Sequence, residues 1–102
     1  MNKPMNKLRA VLIGTGGIAN SHVTALRQES DRVELVAGMD IDADRASAFC
    51  ETNQIPRSYT NVDEMLQREQ PQLVHIATPP GTHADLCVTA LEAGAWVLCE
   101  KP

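Results

Sequence analysis

At 102 residues, 43% of them apolar, the chain can bury one hydrophobic core and is shorter than chains that usually divide into domains. The formal net charge is −4, and the nine lysines and arginines are scattered along the sequence, which argues against a nucleic-acid-binding surface. No apolar run approaches the roughly 20 residues that a membrane-spanning helix needs. Cys50, Cys87 and Cys99 lack the spacing of a zinc site, so we expect no metal and a reduced, cytoplasmic protein. The polar start of the chain, residues 1–7, has no apolar stretch of the kind found in signal peptides, so we expect no signal peptide.

Short apolar runs alternate with segments of helical spacing along the chain. In chain order, the patterns predict a strand over Leu8–Ile13, a helix over 16–29, a strand over Val33–Met39, a helix over Ala43–Thr52, a short strand over 57–60, a helix after Asn61, a strand over 73–78, a helix over 83–93 and a strand over 95–99. This alternation is typical of a parallel sheet with right-handed crossovers and helices on both faces. We therefore expect an α/β, doubly wound parallel sheet.

Two helices have predicted caps, and the first helix has a predicted packing side. Asp42 and Asn61 precede helices as N-caps, and Gly94 follows the last helix as its C-terminal stop. On the first helix, the packing side is expected to include Ile18, His22, Ala25 and Leu26, and on the last helix Leu86, Ala90 and Ala93, with Cys87 and Leu91 beside them. His22 and His75 are interpreted as hydrogen-bonded structural histidines.

The turn after the first strand has the spacing Gly14-x-Gly16-x-x-Ala19, which is typical of a dinucleotide-binding turn. The first glycine permits a sharp turn, the second leaves room for a pyrophosphate, and the small third residue lets the helix pack close to the strand. The positive end of the helix then faces the phosphates. We predict that the turn binds a cofactor through Gly14, Thr15, Gly16, Gly17, Ile18 and Ala19.

Asp40 closes the second strand, at the distance where an acidic residue reaches the adenine ribose hydroxyls. A carboxylate there repels a 2′-phosphate, so the sequence favours NAD over NADP. Arg45, one helical turn later, leaves NADP binding as an alternative. The glycine string alone is weak evidence. S-adenosylmethionine enzymes place glycines and an acid similarly and remain the main rival. A P-loop is excluded, because no Lys-Ser or Lys-Thr follows the glycines.

Two further segments follow strands at the same predicted end of the sheet. Thr78, Pro79 and Pro80 form a rigid loop that we expect beside the nicotinamide, and His83 begins the next helix, facing the cleft. The alternative is a stiff loop in which Thr82 only caps the helix. Glu100 and Lys101 follow the fifth strand. A lysine in that position can donate a proton or hydrogen bond to a substrate oxygen, and the adjacent carboxylate can orient it.

Together these residues resemble the Gfo/Idh/MocA family, the dehydrogenases related to glucose-fructose oxidoreductase and inositol dehydrogenase. The resemblance runs from Leu8 to Pro102 and rests on the glycine turn, Asp40, the stretch 74–83 and Glu100-Lys101-Pro102. It implies a Rossmann fold with strand order 3-2-1-4-5 and an NAD(P)-dependent oxidoreductase acting on sugars, cyclitols or related hydroxy compounds. It also implies that Lys101 is catalytic, contacting the hydroxyl that is oxidised.

The resemblance further implies a last strand and a substrate domain, which this sequence does not contain. We therefore expect residues 1–102 to be an incomplete NAD(P)-binding domain, inactive alone, with a sugar or polyol substrate bound only in a longer protein. The alternative is a stand-alone dinucleotide-binding or interaction module. In either case the fifth strand would be an unpaired apolar edge, so we expect self-association through it.

Overall fold

The computed structural model describes residues 7–16, 19–78 and 83–99. Nine elements alternate within these ranges, and every predicted element is present, with ends shifted by at most a few residues. The elements are β1 (Leu8–Ile13), α1 (Ala19–Gln28), β2 (Val33–Met39), α2 (Ala43–Thr52), β3 (Arg57–Tyr59), α3 (Val62–Glu69), β4 (Leu73–Ile76), α4 (His83–Glu92) and β5 (Trp96–Cys99). None of these described helices is long and apolar enough to cross a membrane.

The five strands form one sheet in the order β3-β2-β1-β4-β5, and every pair is parallel. This confirms the predicted doubly wound α/β fold and its strand order. The chain moves outward from β1 to β3, then returns through α3 to β4 on the other side of β1. The reversal creates a switch point between β1 and β4, where ligands of such sheets bind beyond the carboxyl ends of the strands.

Helices cover both faces of the sheet, with a hydrophobic cluster on each side. Side chains of β1 alternate between the two clusters: Ala10 and Leu12 belong to one, and Val11 and Ile13 to the other. The first cluster receives α1 and α2 through Ala19, Val23, Leu26 and Cys50, and the second receives α3 and α4 through Met65, Leu66 and Ala90. A central strand buried on both faces explains why β1 is apolar without alternation.

The strand β2 contains one extra residue relative to β1. Ala10 pairs with Leu35, whereas Val11 pairs with Ala37, so Val36 has no partner on β1. Val36 and Ala37 consequently both pack on the side of α3 and α4. Such a bulge reverses the side on which every later residue of the strand lies.

The predicted caps are confirmed. The carboxylate of Asp42 accepts a hydrogen bond from the Arg45 N–H at the start of α2, and the Asn61 side chain accepts one from the Glu64 N–H at the start of α3. Gly94 follows α4 with a positive φ of 87°, the conformation for which glycine is favoured there.

The predicted packing sides of α1 and α4 were wrong at three residues. Ala25 is exposed and Val23 is buried in its place, because the i, i+3, i+4, i+7 set of α1 starts at Ala19. Ala93 is exposed beyond the end of α4, and Leu91 is 58% exposed on its outer side. Ile18 lies outside the described residues.

The carboxylate of Glu69, at the end of α3, is the most heavily bonded buried charge among the described residues. Its side chain is 3% exposed and accepts hydrogen bonds from the guanidinium of Arg9 at 2.7 Å, from that of Arg57 at 2.8 Å and from the Tyr59 hydroxyl at 2.6 Å. These bonds join α3 to β1 and β3. The bonds from Arg57 hold the pKa of Glu69 below its usual value in spite of burial, with Tyr59 and Arg9 adding to the effect.

β5 lies at one side of the described sheet and pairs with β4 alone. Trp96, its first residue, is 79% exposed, which is a large exposed area for an aromatic side chain. An unpaired strand with an exposed indole can pair with another chain. Self-association through this strand remains a prediction.

We predict that Glu69→Gln lowers the free energy of unfolding by about 2 kcal/mol at pH 7, because a neutral amide cannot replace the charge-assisted hydrogen bonds from two partly exposed arginines. Urea denaturation measures this loss. The depressed pKa of Glu69 means that its contribution is present above the unfolded pKa of about 4.3 and disappears as the pH falls through the folded value.

Glu64→Gln is the matched control, because Glu64 forms an exposed ion pair with Arg68 on the same helix. Its cost should stay below about 0.5 kcal/mol. Equal costs for the two substitutions would contradict the role assigned to Glu69.

Candidate dinucleotide site

The carboxyl ends of β2, β1 and β4 meet at Gly14. The Gly14 N–H donates to the Met39 carbonyl at 2.7 Å, and the Ala77 N–H donates to the Ile13 carbonyl at 2.8 Å. These two bonds extend the ladders of the sheet beyond the strands themselves. The residues that follow β1, β2 and β4 are thereby held side by side.

Gly14 needs to be glycine for two independent reasons. Its φ is +97°, in the region that side chains disfavour, and a Cβ built on it would lie 2.9 Å from Thr78 Cγ2 and 3.0 Å from the Ala77 carbonyl. At Gly14 the backbone therefore turns sharply and packs closely against the end of β4 at the same residue. The two requirements account for the first glycine of the predicted turn.

Gly16 differs from Gly14, because a Cβ at Gly16 would meet no atom within 4 Å among the described residues beyond its chain neighbours, and its φ is not positive. The described residues therefore impose no steric requirement for glycine at this position. The Ala19 N–H donates to the Gly16 carbonyl at 3.0 Å, and Ala19 is fully buried at the start of α1. Open space above a glycine, beside a helix start packed closely against the sheet, fits the pyrophosphate of a dinucleotide.

The carboxylate of Asp40 lies directly across from this turn. Its Oδ2 accepts two hydrogen bonds from Thr15, one from the N–H at 3.1 Å and one from the hydroxyl at 2.8 Å. Its Oδ1 accepts one from the Asp42 N–H at 3.0 Å. Asp40 thus begins a local turn, and Asp42 caps α2. The Asp40 carboxylate can therefore still accept a hydrogen bond from a ligand.

The electrostatic surroundings of Asp40 favour its ionised form. Burial raises the pKa of Asp40, but the hydrogen bonds from Asp42 and Thr15 and the charge of Arg45 outweigh it, so the pKa lies below its usual value. The Arg45 Nε is 3.7 Å from Oδ2, which is an ion pair without a hydrogen bond. A negative charge therefore stands where the adenine ribose of a dinucleotide is expected.

His22 and His75 form a buried pair one turn of α1 below the glycine turn. Their Nδ1 atoms are 2.9 Å apart, and the rings meet edge to face at 88°. Burial, with a smaller effect of His22, lowers the pKa of His75 to about 4, so this ring is neutral at pH 7. The bond joins α1 to β4, which agrees with the prediction that both are structural histidines.

The structure brings together one group of the predicted site residues and leaves others undescribed. Around the turn lie Gly14, Thr15, Gly16, Ala19, Asp40 and Thr78. His83 is the first residue of α4, and its side chain is outside the described part. The remaining predicted residues lie outside the described ranges: Gly17, Ile18, Pro79, Pro80, Glu100 and Lys101.

The direct contact between Thr15 and Asp40 was not predicted from the sequence. A signal for it was available, because parallel neighbouring strands that both end at the turn place the residues after them side by side. Ile13 pairs with Met39, so the residues that follow these two must be neighbours. Which hydroxyl would reach the carboxylate depends on the turn at Gly14 and could not be read from the spacing.

Comparison with known proteins gives one consistent family. Residues 8–102 match the Gfo/Idh/MocA family, described as an oxidoreductase family with an NAD-binding Rossmann fold. Inositol 2-dehydrogenase of Salmonella typhimurium is 34% identical over 93% of this chain and 29% of its own length. D-apiose dehydrogenase of Paraburkholderia graminis is 35% identical over 96% of this chain and 26% of its own length.

A solved structure agrees in fold. The WlbA dehydrogenase of Chromobacterium violaceum, in complex with NADH and UDP-GlcNAcA, superposes with a TM-score of 0.87 at 35% identity. The alignment covers all of this chain and 30% of the dehydrogenase. The chain thus spans less than a third of the length of each of these relatives.

We predict that alanine substitutions at the two glycines have different effects on stability. Gly14→Ala should lower the free energy of unfolding by roughly 2 kcal/mol, because it combines a strained φ with a clash against β4. Gly16→Ala should change it by less than about 0.5 kcal/mol, since its Cβ enters open space. Thermal or urea unfolding measures both, and a Gly16→Ala loss as large as that of Gly14→Ala would contradict the open space.

Proposed function

Since the chain belongs to the Gfo/Idh/MocA oxidoreductase family and carries its NAD-binding Rossmann fold, we propose that it forms the dinucleotide-binding part of a dehydrogenase acting on a sugar, cyclitol or related hydroxy compound. The substrate class is supported by the names of its relatives, which include an inositol dehydrogenase and an apiose dehydrogenase. Because the chain spans under a third of those relatives, residues beyond it would bind the substrate, and we propose that residues 1–102 alone are inactive.

The observation that carries this proposal is the position of Asp40 opposite the glycine turn. Gly16 leaves open space beside the start of α1, and Asp40 places a negative charge across from it. The residues proposed to hold the dinucleotide are therefore complementary to its two recognisable parts. The N–H groups at the start of α1 would bind the phosphates, and Asp40 would accept hydrogen bonds from the adenine ribose.

The same carboxylate supports a preference for NAD over NADP. A 2′-phosphate would lie against the charge of Asp40 and be repelled. Arg45, at 3.7 Å, is the nearby cation that could attract such a phosphate, but it is already paired with Asp40. The preference therefore depends on the carboxylate and should weaken when it is removed.

The catalytic part of the proposal depends on Glu100 and Lys101, which lie beyond the described ranges. When bound, the nicotinamide ring of the cofactor supplies the hydride acceptor or donor of such a reaction. Lys101 is proposed to hold or donate the proton of the substrate hydroxyl, and Glu100 to orient Lys101. Thr78, with Pro79 and Pro80 after it, would shape the nicotinamide end of the cleft, and His83 would face that cleft.

We expect calorimetry to show tighter binding of NADH than of NADPH to this chain. Asp40→Ala should weaken NADH binding by about 10- to 100-fold, because hydrogen bonds to a charged acceptor are lost. It should also improve NADPH binding, because Arg45 becomes available to the 2′-phosphate. The gap between the two cofactors should therefore narrow or invert.

Asp44→Ala is the matched control, because it removes an equal charge from the exposed first turn of α2. Its effect on both cofactors should be small and equal. S-adenosylmethionine should not bind with comparable affinity, and tight binding of it would favour a methyltransferase-like function. A preference of the unaltered chain for NADPH would show that the role given to Asp40 is wrong.

For Lys101, the test requires a longer protein that contains this sequence and turns over a substrate. Lys101→Met should lower kcat at least about 100-fold while leaving the affinity for NADH nearly unchanged, because the amine acts on the substrate proton. Steady-state kinetics and a binding titration measure the two quantities. Equal losses in kcat and in cofactor affinity would contradict the catalytic role.

A further inference from the structure

We propose that Thr15 is a positioning residue that holds the Asp40 carboxylate with Oδ1 toward the adenine ribose, and that cofactor selectivity therefore depends on the Thr15 hydroxyl. The inference rests on the proposed function of Asp40 and adds a role for the residue that bonds to it. Thr15 would affect cofactor selectivity through Asp40, without itself contacting the 2′ position of the ribose. A turn residue chosen only for its backbone would have no such effect.

The hydrogen bonds of the carboxylate identify which oxygen remains available. A carboxylate oxygen accepts about two hydrogen bonds. Oδ2 already has two, both from Thr15, at 3.1 and 2.8 Å. Oδ1 has one, from the Asp42 N–H at 3.0 Å, and so keeps one position open. The ribose hydroxyl would therefore bind to Oδ1.

The geometry also fixes the carboxylate before any ligand arrives. The N–H and the hydroxyl of Thr15 donate to Oδ2, and the Asp42 N–H donates to Oδ1. Rotation about the Asp40 side-chain bonds would therefore break three hydrogen bonds. Thr15 is 6% exposed and the Asp40 side chain 11%, which limits competition from water. Preorganisation of this kind reduces the entropy that binding must otherwise supply.

The contact between Thr15 and Asp40 could also have the opposite effect on NADH binding. If the Thr15 hydroxyl occupied the place that the ribose hydroxyl takes in the complex, the ligand would have to displace it. Removal of the hydroxyl would then strengthen NADH binding. The hydrogen-bond count favours the positioning role, because Oδ1 is open while Thr15 occupies Oδ2.

The test compares Thr15→Val, which keeps the shape and removes the hydroxyl, with Thr15→Ser, which keeps the hydroxyl. Calorimetric titration of the chain should show NADH affinity about tenfold lower in Thr15→Val, with NADPH affinity changed less than about twofold. Thr15→Ser should bind both cofactors within about twofold of the unaltered chain. Thr15→Ala replaces Thr15→Val should the valine variant fail to fold.

A double-mutant cycle separates positioning from a general structural effect. Adding Thr15→Val to Asp40→Ala should cause no further loss of NADH affinity, because Thr15 acts through the carboxylate. An equal loss for both cofactors, an additional loss in the Asp40→Ala background, or tighter NADH binding in Thr15→Val would each overturn the proposal.

A second measurement requires no cofactor. Nuclear magnetic resonance titration of the Asp40 carboxyl should give a higher pKa in Thr15→Val than in the unaltered chain or Thr15→Ser, because a hydrogen bond to the ionised form is lost. An unchanged pKa would overturn the positioning role. A higher pKa together with no NADH preference in the unaltered chain would instead contradict the proposed function while leaving the contact established.

Discussion

The whole site depends on the close approach of β1 and β4 at Gly14. Without a side chain there, the backbone can turn at φ +97° directly against Ala77 and Thr78. The Gly14 N–H can then bond to the end of β2 at 2.7 Å. Any larger residue would separate these strand ends, and the residues after them would no longer be adjacent. The proposed cofactor site therefore depends on a packing constraint inside the sheet.

The bulge in β2 has a consequence for the direction of Asp40. Because Val36 and Ala37 both lie on the side of α3 and α4, every later residue changes sides. A Cβ at Gly38 would accordingly meet Cys50 of α2 at 2.9 Å, on the opposite face. Two residues later, the same alternation places Asp40 on the side of α1, where Thr15 meets it. One unpaired residue in the strand thus directs the carboxylate toward the glycine turn.

The sequence predicted the parts of this arrangement that depend on local pattern. Apolar runs, caps at Asp42 and Asn61, and the alternation of strands and helices were enough for the doubly wound parallel sheet, and the family resemblance supplied its strand order. The bulge at Val36 could not be predicted. A strand buried on both faces is uniformly apolar, so its sequence does not show where the side chains switch from one face to the other. The bonds around Glu69 escaped prediction for another reason: Arg9 is 60 residues from Glu69, Arg57 belongs to a different element, and the three side chains meet only once the sheet has formed.

In the proposed complex, Asp40 receives the adenine ribose and the space above Gly16 receives the pyrophosphate. A crystal structure of this chain with bound NAD tests both parts in one measurement. We expect a ribose hydroxyl within hydrogen-bonding distance, about 3 Å, of Asp40 Oδ1, with Thr15 still bonded to Oδ2 and the pyrophosphate beside Gly16 at the start of α1. A dinucleotide whose ribose lies away from Asp40, or whose phosphates avoid the start of α1, would contradict the proposed complex.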